Sequence, residues 1–372
     1  MEAAGRRLLR QQTAMYTDLI SLCTAVTGSI KQAIAQMEVN RIGIVLVVDS
    51  ERRLLGTVTD GDVRRALLAN LPLDEPVNTL LERKAGTRYS QPITAPEDAD
   101  RKTLLETMRY HNILHLPLVD REQRVVALVT MEEFLAGSTP PMKAVIMAGG
   151  QGVRLRPLTD EMPKPMLPVG EQPLMERTLE QLRSAGIKRV NVTVHHKSDK
   201  ITEYFGDGRA FGVDISYVNE ERPLGTAGAL ALMDPPQETM LVINGDILTQ
   251  VDFRTMLAYH REQHSDLTVG VLRQDLQVPY GVLECEGANV QNFSEKPVLS
   301  FLVNAGIYLL EPSVHGFIPF GQRFDMTDLI QRLLGEDRRV TAFPISEYWL
   351  DVGQLADYKR AMEDVKNWNT TL

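Results

Sequence analysis

The chain is 372 residues long, room for two or three domains of ordinary size. With 43% hydrophobic and 24% charged residues, it can bury a sizeable core without disulfides or a structural metal. Its 40 basic and 49 acidic residues leave a net charge of −9, which argues against nucleic acid or an acidic membrane as overall partner. Cys23 and Cys285 are the only cysteines and lie far apart, so neither a disulfide framework nor a cysteine metal cluster is expected. The longest apolar runs, such as Gly43 to Val48, fall far short of the roughly 18 residues of a membrane span. Arg10-Gln-Gln-Thr13 stands where a signal peptide would need its apolar core. A cytoplasmic protein is expected, one that meets neither membrane nor nucleic acid.

The first informative feature is a repeat. Shifted by 71 residues, Val48-Asp49-Ser-Glu51-Arg-Arg53 falls on Val119-Asp120-Arg-Glu122-Gln-Arg124, Val58-Thr59 on Val129-Thr130, and Asp62 on Glu133. Each copy reads as an apolar strand, a charged turn, a second apolar strand, and Thr-x-x-acid opening a helix. The spacing predicts strands at Ile44–Val48 and Leu54–Val58 with a helix from about Asp60 to Ala69. In the second copy it predicts strands at Leu114–Val119 and Val125–Val129 with a helix from about Met131. A helical stretch precedes each copy, at Ser29–Met37 and Lys102–Tyr110.

This repeated βαββα unit resembles a CBS-domain pair, covering roughly Thr13 to Gly137, with copies at about 13–72 and 88–137. The resemblance implies that Thr59 with Asp62, and Thr130 with Glu133, hold the hydroxyls of an adenine nucleotide. The alternative is that Thr59 simply N-caps its helix and Asp62 sits in the first turn, a favourable capping pattern. CBS pairs also serve as interaction modules, and self-association into a homodimer is expected on that ground. The breaker-rich run Ala136-Gly-Ser-Thr-Pro-Pro141 then stops the helix and stiffens a linker, placed at 138–142 between domains at 1–137 and 143–372.

The second domain opens on an apolar strand, Lys143–Ala148, followed by Gly149-Gly-Gln-Gly-Val-Arg-Leu155. A dinucleotide fingerprint would want glycine at position 155, and a Walker loop would want Lys-Ser/Thr after Gly152; neither is present. What remains is a loop whose glycines let backbone approach phosphates, with Arg154, Arg156 and Lys164 supplying cations suited to a triphosphate. Arg156 reads as a solvated charge, Trp349 as core, and Phe205-Gly-Asp-Gly208 as a turn. His195-His196 looks metal-like, but neighbours on a strand point to opposite faces and no acid or cysteine cluster accompanies them.

The run Gly149-Gly-x-Gly-x-Arg-Leu with Pro163-Lys-Pro resembles the sugar-1-phosphate nucleotidyltransferases over Lys143 to about Tyr358. Later motifs follow in order: Pro223-Leu-Gly-Thr-Ala-Gly228, Asn244-Gly-Asp246, Tyr280-Gly-Val282, Phe293-Ser-Glu-Lys-Pro297, Asn304-Ala-Gly-Ile-Tyr308 and Trp349-Leu-Asp-Val-Gly353. The implied fold is a Rossmann-like, GT-A-like α/β domain with a mixed, mostly parallel sheet. The implied reaction joins NTP and a sugar 1-phosphate into NDP-sugar and pyrophosphate. By resemblance, Ala148, Gly149, Gly150, Gly152, Gly225 and Thr226 bind nucleotide, and Arg154 and Lys164 act on the phosphates. The same resemblance implies that Asp246 and Asp351 hold Mg²⁺ and that Gly281, Glu295, Lys296 and Asn304 line the sugar-phosphate pocket.

Glu220 stands five residues before Gly225, where uracil- and thymine-using members often carry Gln. A carboxylate offers only acceptors, which suits the N1–H and N2–H₂ of guanine better than the mixed edge of uracil. GTP is therefore the expected nucleotide, with a UTP- or dTTP-using glucose or N-acetylglucosamine enzyme as the alternative. A CBS pair ahead of this domain resembles the glucosamine-1-phosphate guanylyltransferases, with the mannose-1-phosphate enzymes close behind. No hexapeptide-repeat domain is expected after the catalytic one. A non-catalytic nucleotide-sensing regulator is the rival of another class, and it would not need Arg154, Lys164, Asp246 and Asp351 together.

Overall fold

A computed structural model describes residues 16–370 except 41, 88, 112, 132, 133 and 135–141, with the backbone alone at 369 and 370. Two units separate at Ser138 and Thr139.

The first unit holds α1 (Leu19–Leu22), β1 (Cys23–Ala25), α2 (Ile30–Asn40), β2 (Ile44–Val48), β3 (Leu54–Thr59), α3 (Asp60–Leu68) and α4 (Asn78–Arg83). The second copy supplies β4 (Ala95–Pro96), α5 (Arg101–His111), β5 (His115–Val119) and β6 (Val125–Thr130). In each copy a short strand runs parallel to the next, which pairs antiparallel with the third. The repeat extends to detail. Asp49 Oδ1 accepts from the Glu51 and Arg53 amides, and Asp120 Oδ1 accepts from those of Glu122 and Arg124, all at 2.8–2.9 Å. These carboxylates tie the tight turn locally, as Asp does in Asx-turns, and let Arg52 and Gln123 take positive φ. The two turns then pair: Leu54 N donates to Gln123 O, and Val125 N to Arg52 O. The 71-residue repeat thus closes on itself about a local two-fold.

The second unit is built on β7 (Met142–Met147), β8 (Pro168–Val169), β9 (Gln172–Pro173), α6 (Leu174–Ser184), β10 (Arg189–Val194), α7 (Ser198–Phe205), β11 (Asp214–Asn219) and α8 (Gly225–Gly228). It continues with β12 (Thr239–Asn244), β13 (Ile247–Thr249), α9 (Phe253–Glu262), β14 (Leu267–Gln277), β15 (Val282–Glu286), β16 (Asn289–Ser294) and β17 (Val298–Leu310). Last come α10 (Met326–Gly335), β18 (Val340–Pro344), β19 (Trp349–Asp351) and α11 (Leu355–Thr370). The main sheet runs β11-β10-β7-β12-β17-β14-β18, with β17 alone antiparallel to its neighbours. The fold is the mixed, mostly parallel α/β architecture expected. Continuous apolar strands such as β12 bury both faces, as parallel strands covered by helices must. Leu241 and Ile243 enter one core with α6, α7 and α9, while Met240 and Val242 enter the other with α10.

This topology positions the site. Because β11, β10, β7 and β12 are parallel, the loops leaving their carboxyl ends gather on one sheet edge. Asp351 reaches that edge because β19 pairs with β13, setting Ile247 opposite Asp351, and Val352 N donates to Asp246 O at 2.9 Å.

Candidate active site

The loop after β7 is shaped by its glycines. Gly152 takes φ +64°, and a Cβ there would stand 2.9 Å from Thr159 Cγ2. Thr159 Oγ1 donates to Gly152 O, and Lys197 reaches back to the carbonyls of Thr159 and Asp160, so the loop is tied from both sides. Ala148 is buried beneath it, whereas Gly150 faces open space. Arg154 is exposed at its rim. Arg156 pairs with Asp160 in solvent, as its reading implied.

Ten residues after Arg154, Lys164 lies in a 3₁₀ turn, Lys164–Met166, and is buried. Its ammonium stands 2.5 Å from Asp246 Oδ2 and 3.9 Å from Asp351 Oδ1. Burial pushes Asp351 above the ordinary carboxylate range and the Asp246 charge adds to this, against the opposing pull of Lys164 and Arg154. The Asp351 Oδ1 atom is buried and accepts no hydrogen bond. Two facing carboxylates with a free buried oxygen fit a divalent cation of the Mg²⁺ kind, which takes oxygen ligands from one or two side chains. Among the described residues no group of three or more His, Cys, Asp or Glu side chains could hold a metal. His195 follows β10, and its Nδ1 lies 2.7 Å from Glu220 O, a structural contact.

Glu220 is not a solvent charge. It is buried, its Oε2 accepts from Leu224 N at 2.9 Å, and a Cβ on Gly149 would stand 2.6 Å from Oε1. Burial raises its carboxyl above the ordinary range, opposed by the Leu224 amide and the nearby His195. It therefore bridges the glycine loop and the loop carrying Gly225 and Thr226. That second loop is clamped by a residue the motif reading missed. Asp325 Oδ1 accepts from Thr226 N at 3.1 Å, and Phe324 O accepts from the Ala227 and Gly228 amides. Asp325 also caps α10, so it reads in sequence as an ordinary helix start.

The residues expected to line a sugar-phosphate pocket fall into two groups. Gly281 sits beside Phe293 and Glu295, with Lys296 exposed next to them at φ +45°; these stand where β14–β15 and β16–β17 both break. Asn304 accepts from Gly306 N, whose missing side chain leaves room for Asn244. Asn244 opens the Asn-Gly-Asp motif with no role of its own legible in sequence, yet its Oδ1 is buried and without a partner at the mouth of β12. Trp349 packs on the core and donates Nε1–H to Ala305 O, as a core residue.

In the first unit, Thr59 and Asp62 form a capping box: the Thr59 amide and hydroxyl both donate to Asp62 Oδ2. Asp62 is 4% exposed and also meets Lys84 at 2.5 Å and Arg65 at 2.7 Å. Burial pushes its carboxyl up, but Lys84 and the Thr59 amide outweigh this and hold it below the ordinary range. Lys84 comes from beyond α4 and gives no sign of this in sequence. Thr130 is buried at the end of β6, and Glu133 lies outside the described residues.

Residues 143–367 match the nucleotidyl transferase family, and residues 18–69 and 88–138 each match the CBS domain. The chain belongs to the nucleotidyl transferase family, with a CBS-domain pair preceding the matched region. It is 36% identical to the UTP–glucose-1-phosphate uridylyltransferase of Synechocystis sp., over 60% of this chain and 63% of that protein. It is 33% identical to the mannose-1-phosphate guanylyltransferase of Mycobacterium tuberculosis, over 61% and 66% respectively. The catalytic subunit beta of the Danio rerio mannose-1-phosphate guanylyltransferase is 32% identical, over 59% and 64%. The chain therefore spans just under two thirds of the length of these relatives. Among the described residues no helix is long and apolar enough to cross a membrane.

Proposed function

We propose that the chain transfers a nucleotidyl group from a nucleoside triphosphate to a hexose 1-phosphate, releasing pyrophosphate and an NDP-sugar for surface-glycan synthesis. The observation that carries this is the buried Lys164 ammonium between Asp246 and Asp351, beside a glycine loop that leaves backbone open to phosphates. An oxygen of the sugar phosphate attacks the α-phosphorus. The bond from that phosphorus to the bridging oxygen of the leaving diphosphate breaks. The nucleophile is already anionic, so no residue need remove a proton, and the work is positioning and charge stabilisation. Arg154 neutralises the departing pyrophosphate, and Lys164 bridges the α-phosphate and the sugar phosphate. Lys296 holds the sugar phosphate, Glu295 accepts from sugar hydroxyls, and Gly281 and Asn304 line their pocket. Asp246 and Asp351 would hold Mg²⁺, which when bound would add charge neutralisation at the phosphates. A nucleoside triphosphate substrate supports the expected cytoplasmic location.

We favour GTP, because Glu220 is buried against Gly149 and Leu224 rather than solvated. Glucosamine or mannose 1-phosphate is favoured as the sugar from the architecture alone. The test is pyrophosphate release with Mg²⁺ and GTP, UTP or dTTP against glucosamine, N-acetylglucosamine, mannose and glucose 1-phosphates. Release with GTP and one sugar supports the full reading. Release with UTP or dTTP alone keeps the reaction and overturns the base, and no release with any pair overturns the enzyme in favour of a sensing regulator. The Glu220→Gln variant retains an acceptor for Leu224, so its expected effect is a GTP-over-UTP preference lowered about tenfold.

An adenine nucleotide at the CBS pair has weaker support, because Asp62 would have to give up Lys84 and Arg65 to meet a ribose. Melting of the full chain with millimolar AMP, ADP or ATP tests it. A raised first transition supports sensing, and an unchanged one leaves Thr59 and Asp62 as a cap.

A further inference from the structure

The loop that carries Gly225 and Thr226 has little of its own to hold it. Its helix, α8, is a single turn of four residues, two of them glycine, and so short a turn is not stable alone. What orders it is the segment 321–326, in which Asp325 lies 99 residues beyond Thr226. Phe324 N donates to Leu224 O at 2.8 Å, and Phe324 O accepts from the Ala227 and Gly228 amides at 3.0 and 2.8 Å. Thr226 is taken twice: its amide donates to Asp325 Oδ1 at 3.1 Å, and its Oγ1 accepts from Met326 N at 2.9 Å. Arg222 adds a bond to Gly321 O at 2.5 Å. The amides of a first helical turn have no partner within the helix, and here this one segment meets three of them.

The two glycines answer to the same segment. A Cβ on Gly225 would fall on Asp325 Oδ1, and one on Gly228 would stand 2.7 Å from Gln322 O. Gly225 also takes φ +80°. Both positions therefore need glycine for the segment to approach at all. Among the described residues Asp325 supplies the one side-chain acceptor that 321–326 offers this loop. Its other oxygen lies 3.7 Å from Arg323, whose exposed guanidinium competes only weakly for it. A carboxylate also accepts more strongly than a carbonyl.

We propose that Asp325 is a positioning residue for the nucleotide. By holding the Thr226 amide it fixes the loop expected to meet the nucleoside triphosphate, and so sets affinity for that substrate and not for the sugar phosphate. This rests on the nucleotidyl transfer proposed above. The same side chain caps α10 in a capping box with Asp328, whose Oδ2 accepts from Asp325 N at 2.8 Å. The two duties are separable. Serine caps a helix about as well as aspartate but is too short to reach Thr226, whereas asparagine caps and keeps an acceptor. Asp328→Ala breaks the box and leaves Thr226 untouched.

The test is titration of the full chain with GTP, UTP and dTTP in Mg²⁺ without sugar phosphate, with melting and the KM of each substrate beside it. Asp325→Ser is expected to weaken triphosphate binding about tenfold and raise the triphosphate KM alike, with the sugar-phosphate KM and the melting temperature unchanged. Asp325→Asn is expected to bind like the wild type. Asp328→Ala is expected to melt earlier and bind as before. Wild-type affinity in Asp325→Ser, or an equal loss in Asp328→Ala, would overturn the proposal and leave nucleotidyl transfer standing. A wild type that binds no triphosphate would overturn both. Should Asp325→Ser fail to fold, hydrogen exchange of the wild type decides. Residues 224–228 and 321–326 gaining protection together on adding triphosphate supports the clamp, and 224–228 gaining it alone overturns it.

Discussion

The Asp246→Asn variant is expected to release pyrophosphate about a thousandfold more slowly than the wild type, with its fold intact. The backbone at this position is secured independently of the side chain. Gly245 N donates to Met147 O, and Val352 N donates to Asp246 O. An amide of the same shape therefore leaves the β12 and β19 ends where they are. What changes is charge. Half of the anionic pair is gone, so the Mg²⁺ concentration giving half-maximal rate should rise steeply. Asp351 also loses the repulsion that Asp246 exerts, and its carboxyl should fall back toward the ordinary range. Steady-state rates across a Mg²⁺ series, with circular dichroism as the folding control, check both expectations. Near-normal turnover at ordinary Mg²⁺ would mean that this carboxylate is not part of the reacting centre.

Much of this is legible in the chain because local chemistry and global fold agree. The repeat is readable since each copy needs an Asp at the same place to close its turn, and Asp49 and Asp120 do so with matching bonds. Strands β2, β3, β5 and β6 fall within a residue of the positions their apolar runs predict. What escapes a sequence reading is contact made across long loops. Asp351 can be placed near Asp246 only by motif, because the β13–β19 pairing that joins them spans about a hundred residues. Asp325 looks like a helix cap and is one, yet its side chain also holds the Thr226 amide. Lys84 follows a short helix with no periodic signal and still supplies the partner of Asp62. The reach of β14 and β17 beyond their neighbours is likewise hidden, since alternation at the level of residues does not reveal that β12 and β18 stop short.

The Lys164→Met variant is expected to lose two to three orders of magnitude in turnover and, more diagnostically, to shift the pH profile. Methionine fills the same buried space but leaves Asp246 and Asp351 facing each other without the ammonium that stands between them. Burial and the Asp246 charge already raise Asp351, and Lys164 is the largest influence holding it down. Removing it must raise that carboxyl further. Both carboxylates have to be ionised to hold a divalent cation, so the acid limb of kcat/KM should move to higher pH in the variant. The sign for stability follows from the same shift. A carboxyl raised in the folded state binds its proton more tightly than the unfolded chain does, so its contribution is present at low pH and lost as pH rises through the folded value. Lys164→Met should therefore melt earlier than the wild type at neutral pH and recover part of the difference on mild acidification. Added Mg²⁺ should restore melting by replacing the missing positive charge, while leaving turnover low because the phosphates have lost their own cation. An acid limb coincident with the wild type would show that Lys164 does not govern the charge of this pair.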